Sequence, residues 1–571
     1  MERWVVTAKK ADFQGIGRKY GIDPVIARII RNRDITEEKD IAEYLNGSLR
    51  DIPSWKLLKD IDRAADLISE KISTHARIRI IGDYDIDGVT ATFILLKGLK
   101  RLGADVDTYI PDRITDGYGI HEHLIQQAKN DGIELIVTCD NGISAAREVA
   151  LAKELGMDIV VTDHHEIPFE DADGERKYIL PSADAIVNPK QPGCRYPNKN
   201  ICGAVVAMKV VYALYEKYGL PEKEKEAFLE PAAIATVGDI MDLQGENRIL
   251  VKEGLERLPH TTNKGLKALI SAIGLDGQKI SSYDIGFRLG PCINASGRLD
   301  TAMRSLALLQ AEDEDEAARL AGDLKALNDS RKALTETGTK SAYEMIEGSS
   351  LKDDRVLVVF LPECHESLAG IIAGRVREKY HRPAFVLTRG EQMVKGSGRS
   401  IEAYSMYEEL TKCKGLLEAY GGHPMAAGFS LKEEKVEQFR RQLNENCSLT
   451  EEDMIPKIVI DVPMPISYVN ENLVHQLSVL EPFGKGNSKP VFAQKNLKVL
   501  KMGIYGKNQN TVKLQLMDPT GTVMEGIYWG EAQEFASFIK EHETISITYY
   551  PKINSYMGKE TLQIVIQNYC A

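Results

Sequence analysis

Between about residues 50 and 240, short apolar runs alternate with segments of helical periodicity. The apolar runs are residues 78–81, 106–110, 135–139, 159–162 and 185–187. Helical patterns, such as residues 90–102 and 145–155, lie between them. This spacing is typical of βαβ units and predicts a mostly parallel sheet with helices on its faces. Ligands of such sheets bind beyond the carboxyl ends of the strands.

Three aspartates follow the first of these predicted strands at alternate positions. Residues 81–88 read Ile-Gly-Asp-Tyr-Asp-Ile-Asp-Gly, which places carboxylates at Asp83, Asp85 and Asp87. Carboxylates this close repel one another, and a hard divalent cation with a preference for oxygen ligands relieves the repulsion. The alternative is an acidic turn in which one aspartate caps the following helix.

Acidic and imidazole groups also follow other apolar runs. Asp140 follows residues 135–139, Asp163, His164 and His165 follow residues 159–162, and Asp239 follows an apolar run that we interpret as a further strand. Each group alone is explained by a turn or a helix cap. Parallel strands would bring all of them to one edge of the sheet. Five or six carboxylates and two imidazoles there fit two metal ions bridged by a carboxylate.

Composition limits the class of protein less than these motifs do. The chain has 571 residues, enough for about three or four domains. Its net charge of −12 argues against a nucleic-acid partner, but residues 489–513 carry six lysines and no acidic residue. No apolar run reaches the length of about 18 residues that spans a membrane. The start lacks a signal-peptide pattern, and the eight cysteines form no CxxC pair, so we expect a cytoplasmic protein.

The pattern along the chain predicts five regions. Residues 312–346 are rich in helix formers and predict a long connecting helix, and a second strand–helix pattern follows it. From about residue 450, regularly spaced short β-type runs predict a small barrel of the OB type. The predicted regions are an N-terminal helical segment (1–45), an α/β domain that carries the acidic motifs (46–310), the connecting helix (311–347), a second α/β domain (348–448) and the barrel (449–571).

The motifs, taken together, resemble a known family. Asp-Tyr-Asp-Ile-Asp-Gly, Asp-Asn-Gly, Asp-His-His and Val-Gly-Asp occur in the order of the four motifs of the DHH phosphoesterase superfamily. Residues 285–291, 294–299, 421–423 and 480–487 narrow the resemblance to the RecJ exonucleases, over nearly the whole chain. The resemblance implies a DHH catalytic domain, a DHHA1-type second domain and an OB-type nucleic-acid-binding domain. It also implies 5′→3′ hydrolysis of single-stranded DNA to mononucleotides, in recombination and repair.

The resemblance further implies a catalytic site with two divalent metal ions, Mn²⁺ or Mg²⁺. Asp140 is the implied bridge between the two ions, and direct ligation by Asp83 is left open. His165 is implied to contact the scissile phosphate or to help protonate the leaving oxygen. The implied metal ligands are Asp83, Asp85, Asp87, Asp140, His164 and Asp239.

Other residues are candidates for contacts with the DNA backbone. Gly421 and Gly422 stand beside His423 and suit close approach of a phosphate; a tight turn in a core-facing loop is the alternative, and the resemblance favours the phosphate role. Guanidinium groups match phosphate geometry, so an arginine cluster could select a terminal 5′ phosphate, while some of its members make structural ion pairs instead. Asn294 could hydrogen-bond the backbone turn or water at the metal site. The remaining candidates are Arg113, Arg288, Arg298, Ser397 and Arg399, the last two in a predicted turn.

The lysine run suits an electrostatic landing surface for a DNA strand. Nearby aromatic residues could stack on bases of any sequence, or they could fill the barrel core, an explanation at least as good for Phe492. These residues are Phe492, Tyr505, Tyr528 and Trp529.

Two other functions fit parts of the pattern. One is a different DHH hydrolase, such as an oligoribonuclease, a cyclic-dinucleotide phosphodiesterase or a pyrophosphatase, but such relatives are generally smaller and lack the barrel. The other is a non-catalytic DNA-binding scaffold, against which the intact ligand set argues. The implied partners are single-stranded DNA and, functionally, a helicase. Many relatives dock partners through an additional C-terminal domain, whereas this sequence stops at Ala571, soon after the predicted barrel. Direct contact with a single-stranded-DNA-binding protein is therefore left open.

Overall fold

The computed structural model describes residues 2–117, 119–172, 175–556 and 558–571, and its first segment packs against the C-terminal domain. The elements of this segment are β1 (Arg3–Val6), α1 (Phe13–Tyr20), α2 (Pro24–Asn32) and α3 (Glu38–Asn46). β1 pairs in parallel with residues 457–460, and Ile26, Ile29 and Ile30 share a hydrophobic cluster with Leu497 of the barrel. The segment is helical as predicted except for β1, whose partner strand lies far along the chain.

The catalytic domain is built on a sheet of five parallel strands in the order β3-β2-β4-β5-β8, as predicted. Its strands and a separate hairpin are β2 (Ile78–Ile81), β3 (Val106–Tyr109), β4 (Leu135–Cys139), β5 (Asp158–Thr162), β6 (Phe169–Ala172), β7 (Glu175–Tyr178) and β8 (Ala185–Val187). The first helices are α4 (Ile61–Ser73), α5 (Ile86–Arg101), α6 (Glu122–Asn130), α7 (Ala146–Glu154) and α8 (Gly203–Lys217). They are followed by α9 (Glu222–Lys225), α10 (Leu229–Gly238), α11 (Gly245–Arg257), α12 (Lys264–Ala272), α13 (Ser282–Asp284), α14 (Gly290–Leu299) and α15 (Met303–Gln310).

Both faces of this sheet are covered, which explains why its strands read as continuous apolar runs. Ile80 and Val137 pack with α5 and α8 on one face. Ile136 and Val161 pack with α6 and α7 on the other face. Each fully buried side chain of this size contributes roughly 1.5–3 kcal/mol. Because the chain must leave each strand at the same edge, polar residues that follow the strands collect there.

A single helix, α16 (Glu314–Glu347), connects the catalytic domain to the second domain, as predicted. Asp313 caps its start by accepting a hydrogen bond from the backbone N–H of Glu316 at 2.9 Å. Leu324 packs in the catalytic core, while Ile346 packs in the second domain. With 34 residues, the helix is about 51 Å long and forms part of both cores.

The second domain holds a mixed sheet in the order β12-β13-β11-β10-β9. Its elements are β9 (Leu357–Phe360), α17 (Ala369–Tyr380), β10 (Ala384–Arg389), β11 (Val394–Arg399), α18 (Met406–Lys412), β12 (Ala419–His423), β13 (Ala426–Leu431) and α19 (Val436–Glu445). The predicted turn at residues 397–399 is wrong, because these residues belong to β11. Gly396 and Gly398 lie under the rings of Phe429 and Phe385, so here glycine serves close packing in a strand rather than a turn.

The C-terminal domain is a closed barrel, in agreement with the predicted OB type. Its elements are β14 (Lys457–Ile460), β15 (Val462–Pro463), α20 (Glu471–Leu477), β16 (Phe492–Tyr505), β17 (Thr511–Met517), β18 (Val523–Trp529), α21 (Ala532–Glu541), β19 (Thr544–Tyr556) and β20 (Lys559–Cys570). Pairing of β16 with both β17 and β19 closes the sheet. Among the described residues, no helix combines the length and apolar character needed to cross a membrane.

Candidate active site

The loop from β2 to α5 presents the first three aspartates. Asp85 is the N-cap of α5 and accepts hydrogen bonds from the backbone N–H groups of Asp87 and Gly88, at 2.9 and 3.1 Å. A Cβ built on Gly88 would lie 2.5 Å from the carbonyl oxygen of Asp83, so only glycine permits this tight turn. Asp85 therefore caps the helix and also belongs to the group of close carboxylates, so both explanations considered from the sequence apply to this loop.

The N-terminus of α8 fixes the carboxylate of Asp87. Gly203 and Ala204 donate their backbone N–H groups to the two Asp87 oxygens, at 2.6 and 2.8 Å. This helix end carries partial positive charge and favours an ionised carboxylate. A Cβ built on Gly203 would lie 2.7 Å from the Cβ of Asp140, so the missing side chain lets the helix end approach both aspartates.

Asp140 follows β4 in a left-handed backbone conformation, with φ of 60°. Asp and Asn tolerate this region better than other residues with a Cβ, which suits the position at a sharp strand-to-loop turn. Its backbone N–H donates to the carbonyl of Thr162 at 3.1 Å and ties the turn to β5. The carboxylate is buried at the carboxyl edge of the sheet.

His164 lies at the centre of the carboxylates. Its Nε2 is 3.0 Å from Asp140 Oδ1, 3.6 Å from Asp87 Oδ2 and 3.7 Å from Asp239 Oδ2. Potential ligand atoms lie within 4.8 Å of one another in three groups. The groups are Asp140 with His164 and His165, Asp87 with His164 and Asp239, and Asp83 with Asp85 and Asp140. Asp140 and His164 each belong to two groups.

Asp239 belongs to this cluster, but the element that carries it is not the one that we expected from the sequence. We expected it at a strand end, but it follows the last turn of α10 and its N–H donates to the carbonyl of Ala235 at 2.8 Å. The apolar run before it is a buried helix, which periodicity cannot distinguish from a buried strand. The structure nevertheless brings Asp239 to the same cluster.

Several buried carboxylates lie close together in this cluster, and their mutual repulsion favours binding of a cation. Burial and the neighbouring aspartates raise the pKa of Asp83 and Asp140 well above the usual range, and raise that of Asp239 to about 8. Among the described residues of this cluster, three buried carboxylate oxygens lack a hydrogen-bond donor: Asp83 Oδ1, Asp140 Oδ1 and Asp239 Oδ2. Oxygen donors with one or two imidazoles suit Mn²⁺ or Mg²⁺. The residues present therefore fit a divalent metal centre.

Asp163 was expected at this edge of the sheet together with His164 and His165, but the sequence assigned it no role in the site. Its carboxylate accepts hydrogen bonds from the N–H of Ile143 at 2.9 Å and of His164 at 2.7 Å, and lies 2.8 Å from His165 Nδ1. Although burial opposes both shifts, this contact lowers the pKa of Asp163 to about 2 and raises that of His165 to about 9. Asp163 therefore orients a protonated imidazole. Its position directly before two histidines was the available signal.

The residue after Asp239 has a strained backbone. Ile240 has φ of 55° at the end of α10, where glycine is usual, and its side chain is 66% exposed. A β-branched residue is a clear outlier in this region. We expect Ile240→Gly to raise the free energy of unfolding by about 1 kcal/mol, measured by denaturant titration. Ile240→Ala is the control, since it also removes the side chain but keeps the strain. Equal stability of the two variants would contradict this explanation.

Two of the predicted phosphate-binding arginines line one cavity of about 270 Å³. Arg113 stacks on the ring of Tyr84 at 3.9 Å and donates to the carbonyl of Gly297 at 3.2 Å. Arg298 donates to the carbonyl of Ser367 in the second domain at 2.8 Å. Burial and then the charge of Arg113 lower the pKa of Arg298 to about 10, which shows positive charges crowded together. Such a cavity suits an anion.

Arg288 and Asn294 are engaged within the catalytic domain. The Arg288 guanidinium donates to Asp284 at 3.1 Å and to the carbonyl of Ile273 at 2.7 Å. Asn294 accepts a hydrogen bond from the N–H of Ile86 at 2.9 Å, which is the backbone-turn contact considered from the sequence. Asn294 thus supports the loop that carries the first aspartates.

The second domain gathers the other phosphate candidates on one end of its sheet. In the pairing of β11, β13 and β12, Ser397 stands on one rung with Gly421, and Arg399 stands two rungs further along with His423. Because side chains two residues apart share a face, Arg399 and His423 lie on the face to which Ser397 and Gly421 belong. Arg399 is also close to Gly370 at the start of α17, where a built Cβ would lie 2.8 Å from its Nη2.

On the barrel, five lysines of the basic run are exposed on or beside β16 and β17: Lys495, Lys498, Lys501, Lys507 and Lys513. Tyr505 and Trp529 are exposed on either side of Thr511 in the sheet register. Tyr528 packs against Phe535, with ring centroids 4.5 Å apart. Phe492 is completely buried and fills the core. Of the four candidate aromatics, Tyr505 and Trp529 have exposed rings.

Comparison with known proteins assigns a family to each domain. The DHH family, N-terminal domain, matches residues 77–236, the DHHA1 domain matches residues 353–449 and the RecJ OB domain matches residues 460–568.

Relatives and solved structures match over nearly the full chain. The single-stranded-DNA-specific exonuclease RecJ of Bacillus subtilis is 36% identical over 99% of this chain and 70% of its own. The protein of the same name from Escherichia coli is 30% identical over 96% of each chain. The crystal structure of Thermus thermophilus RecJ with Mn²⁺ superimposes with a TM-score of 0.84 and 28% identity, covering 100% of this chain and 79% of that one. The chain therefore belongs to the RecJ family of single-stranded-DNA-specific exonucleases.

Proposed function

We propose that this chain hydrolyses single-stranded DNA from its 5′ end and releases mononucleotides with the help of two divalent metal ions, Mn²⁺ or Mg²⁺. The observation that carries the proposal is the buried cluster in which carboxylates from β2, β4 and α10 surround His164. Relatives that carry the name single-stranded-DNA-specific exonuclease support the substrate, and crystal structures of a relative with Mn²⁺ and with Mg²⁺ support the metal.

The residues that would hold the ions are the six named from the sequence: Asp83, Asp85, Asp87, Asp140, His164 and Asp239. Asp140 is the proposed bridge, since its carboxylate belongs to two of the three groups of close ligand atoms. A bound pair of such ions lowers the pKa of water and neutralises charge on the attacking and leaving oxygens. The glycines at the N-terminus of α8 and in the loop before α5 hold the ligands close enough together.

His165 and the arginines would handle the DNA itself. A protonated His165, oriented by Asp163 at 2.8 Å, can donate a hydrogen bond to the scissile phosphate or a proton to the leaving oxygen. Arg113 and Arg298 from the catalytic domain, with Arg399 and Ser397 from the second domain, would bind the terminal 5′ phosphate. Gly421, Gly422 and His423 would contact the backbone beside it. Arg288 receives no phosphate contact in this proposal, because its guanidinium is used by Asp284 and Ile273.

In the cell, this activity would depend on other proteins that act on DNA. A nuclease restricted to single strands needs a separate helicase to expose 5′ ends within duplex DNA. Contact with a single-stranded-DNA-binding protein is part of the same hypothesis. All eight cysteines are free, which agrees with a reducing cytoplasm.

The test is hydrolysis by the purified chain in the presence of Mn²⁺. The substrates are 5′-labelled single-stranded DNA, the same sequence as blunt duplex, a short RNA and pyrophosphate. We expect labelled mononucleotide from single-stranded DNA and slow or no turnover of the others. Progressively shortened 5′-labelled fragments that appear before any labelled mononucleotide, or faster turnover of pyrophosphate or short RNA, would overturn the proposal. DNA binding without any cleavage would instead favour the scaffold function.

Metal binding should also stabilise the fold. Mn²⁺ at about 100 times its dissociation constant adds about 2.7 kcal/mol to the stability of a protein that binds it only when folded. For a domain of this size, we expect the thermal unfolding midpoint to rise by about 5 °C or more, and EDTA to reverse the change. Scanning fluorimetry measures it. The same titration with Asp140→Asn is the comparison, and an equal rise in that variant would place the binding elsewhere.

A further inference from the structure

Two aromatic rings of the catalytic domain are stacked and exposed. Tyr283 and Phe287 lie four residues apart, and a π-helical turn (Ile285–Leu289) brings their ring centroids to 4.6 Å with 25° between the planes. Tyr283 is 64% exposed and Phe287 is 65% exposed. Exposed aromatic pairs of this kind are typical of binding surfaces, since their outer faces offer flat apolar area at little entropic cost.

The pair lies beside the acidic and imidazole side chains around His164, here called the metal cluster. Its turn packs on α10, where Gly286 faces Val237, two residues before Asp239. The next turn packs on the first aspartate loop, where a Cβ on Gly290 would lie 3.1 Å from Ile86 Cδ1. Ile240, the residue after Asp239, also has an exposed side chain.

The same pair also borders the barrel domain. Ser282, the residue before Tyr283, donates its hydroxyl to the carbonyl of Phe483 at 2.6 Å. Lys279 lies 3.0 Å from Glu481 on the same border. The N–H of Leu243 donates to the carbonyl of Lys485 at 2.8 Å, so the barrel segment 481–487 reaches the loop that follows Asp239. The segment that carries the rings therefore contacts both the barrel and the helix that ends next to Asp239.

The chemistry of this border favours a nucleic-acid strand over an apolar partner. Two lysines of this border, Lys279 and Lys485, have mostly exposed side chains, and their amines lie 3.0 Å from Glu481 and 3.6 Å from Asp242. Exposed aromatic faces on a border that also carries cationic side chains are the arrangement with which proteins hold single strands without sequence preference. Arg288, the nearest arginine in the chain, is held by Asp284 and does not cover the rings.

We propose that Tyr283 and Phe287 form a base-stacking platform for single-stranded DNA that runs from the barrel to the metal cluster. The platform rests on the proposed nuclease function for its purpose. It holds bases rather than phosphates, so it adds affinity for any sequence and lowers the KM for long strands without taking part in the chemical step.

The test compares strands with and without bases. Equilibrium binding of oligothymidylate and of an abasic strand of equal length is measured in EDTA for wild type, Tyr283→Ala, Phe287→Ala and the double variant. Loss of a stacked base costs about fivefold or more in affinity, so we expect at least this loss for oligothymidylate and no change for the abasic strand. With Mn²⁺, the KM for long DNA should rise while kcat stays within twofold of wild type.

The control is Tyr218→Ala, a tyrosine that is 39% exposed and lies at the far end of α8 from the metal cluster. Tyr283→Phe and Phe287→Tyr keep the ring and should bind as wild type does. Unchanged affinity for oligothymidylate in the double variant, or an equal loss for the abasic strand, would overturn the platform. Because binding is measured without cleavage, absence of nuclease activity in the wild type would reject the proposed function separately.

Discussion

Asp140→Asn is expected to lower kcat for Mn²⁺-dependent hydrolysis of single-stranded DNA by about 10³-fold. A bound metal supplies several kcal/mol of transition-state stabilisation, and each 1.36 kcal/mol is a factor of ten in rate. Asn keeps the shape of the side chain but removes the charge from the one carboxylate that approaches both His164 and the Asp83 and Asp85 group. Initial rates with labelled DNA at saturating substrate measure the effect.

The control for this variant is Asp158→Asn, the same chemical change at the opposite, amino end of the neighbouring strand β5. Asp158 pairs with Lys71 at 2.8 Å and Lys153 at 2.9 Å and has no contact with the cluster, so kcat should stay within about twofold. Thermal unfolding without metal checks folding. Because burial and neighbouring carboxylates raise the pKa of Asp140, its ionised form is costly at neutral pH, and the Asn variant should be at least as stable. More than a tenth of wild-type kcat would contradict the assigned role.

Arg399→Ala is expected to abolish preference for a 5′-phosphorylated end. A charge-assisted hydrogen bond contributes about 1.5–3 kcal/mol, so the KM for a 5′-phosphorylated strand should rise roughly 10- to 100-fold. The KM for the same strand with a 5′-hydroxyl should change far less. The ratio of the two KM values isolates the contact with the terminal phosphate from general binding of the backbone.

Arg288→Ala serves as the matched control. It removes the same guanidinium from a site where Asp284 and the carbonyl of Ile273 already use it. We expect its ratio of KM values to equal that of wild type, with any loss confined to stability. If Arg288→Ala removed the preference and Arg399→Ala kept it, the 5′ phosphate would bind on the catalytic domain near α14 rather than against the second domain.

The parallel sheet and the first three carboxylate motifs were readable from sequence because both depend on local pattern. Strands buried on both faces must be apolar, and residues 78–81 and 135–139 are. The direction of parallel strands then fixes the edge at which Asp85, Asp140 and His164 emerge. Resemblance to known motifs added the DNA substrate and the assignment of Asp140 as the bridge between two ions, which spacing alone left open.

Other features depend on contacts between distant segments. Residues 235–238 are apolar in the manner of either a strand or a buried helix, and only packing of α10 on α5 and α11 decides for a helix that ends at Asp239. β1 is a strand because β14 pairs with it, and Gly398 lies in a strand because Phe385 packs against it.

The sequence by itself determined the fold class, the chemistry of the metal cluster and the family, since each is written in residue types at short spacing. Only the tertiary structure decided that Asp163 orients His165, that Arg288 is used internally, and that Tyr283 and Phe287 stack in the open beside Asp239. The physical reason is that the contacts and the exposure of a side chain depend on which distant segments pack together. The local sequence pattern does not contain that information.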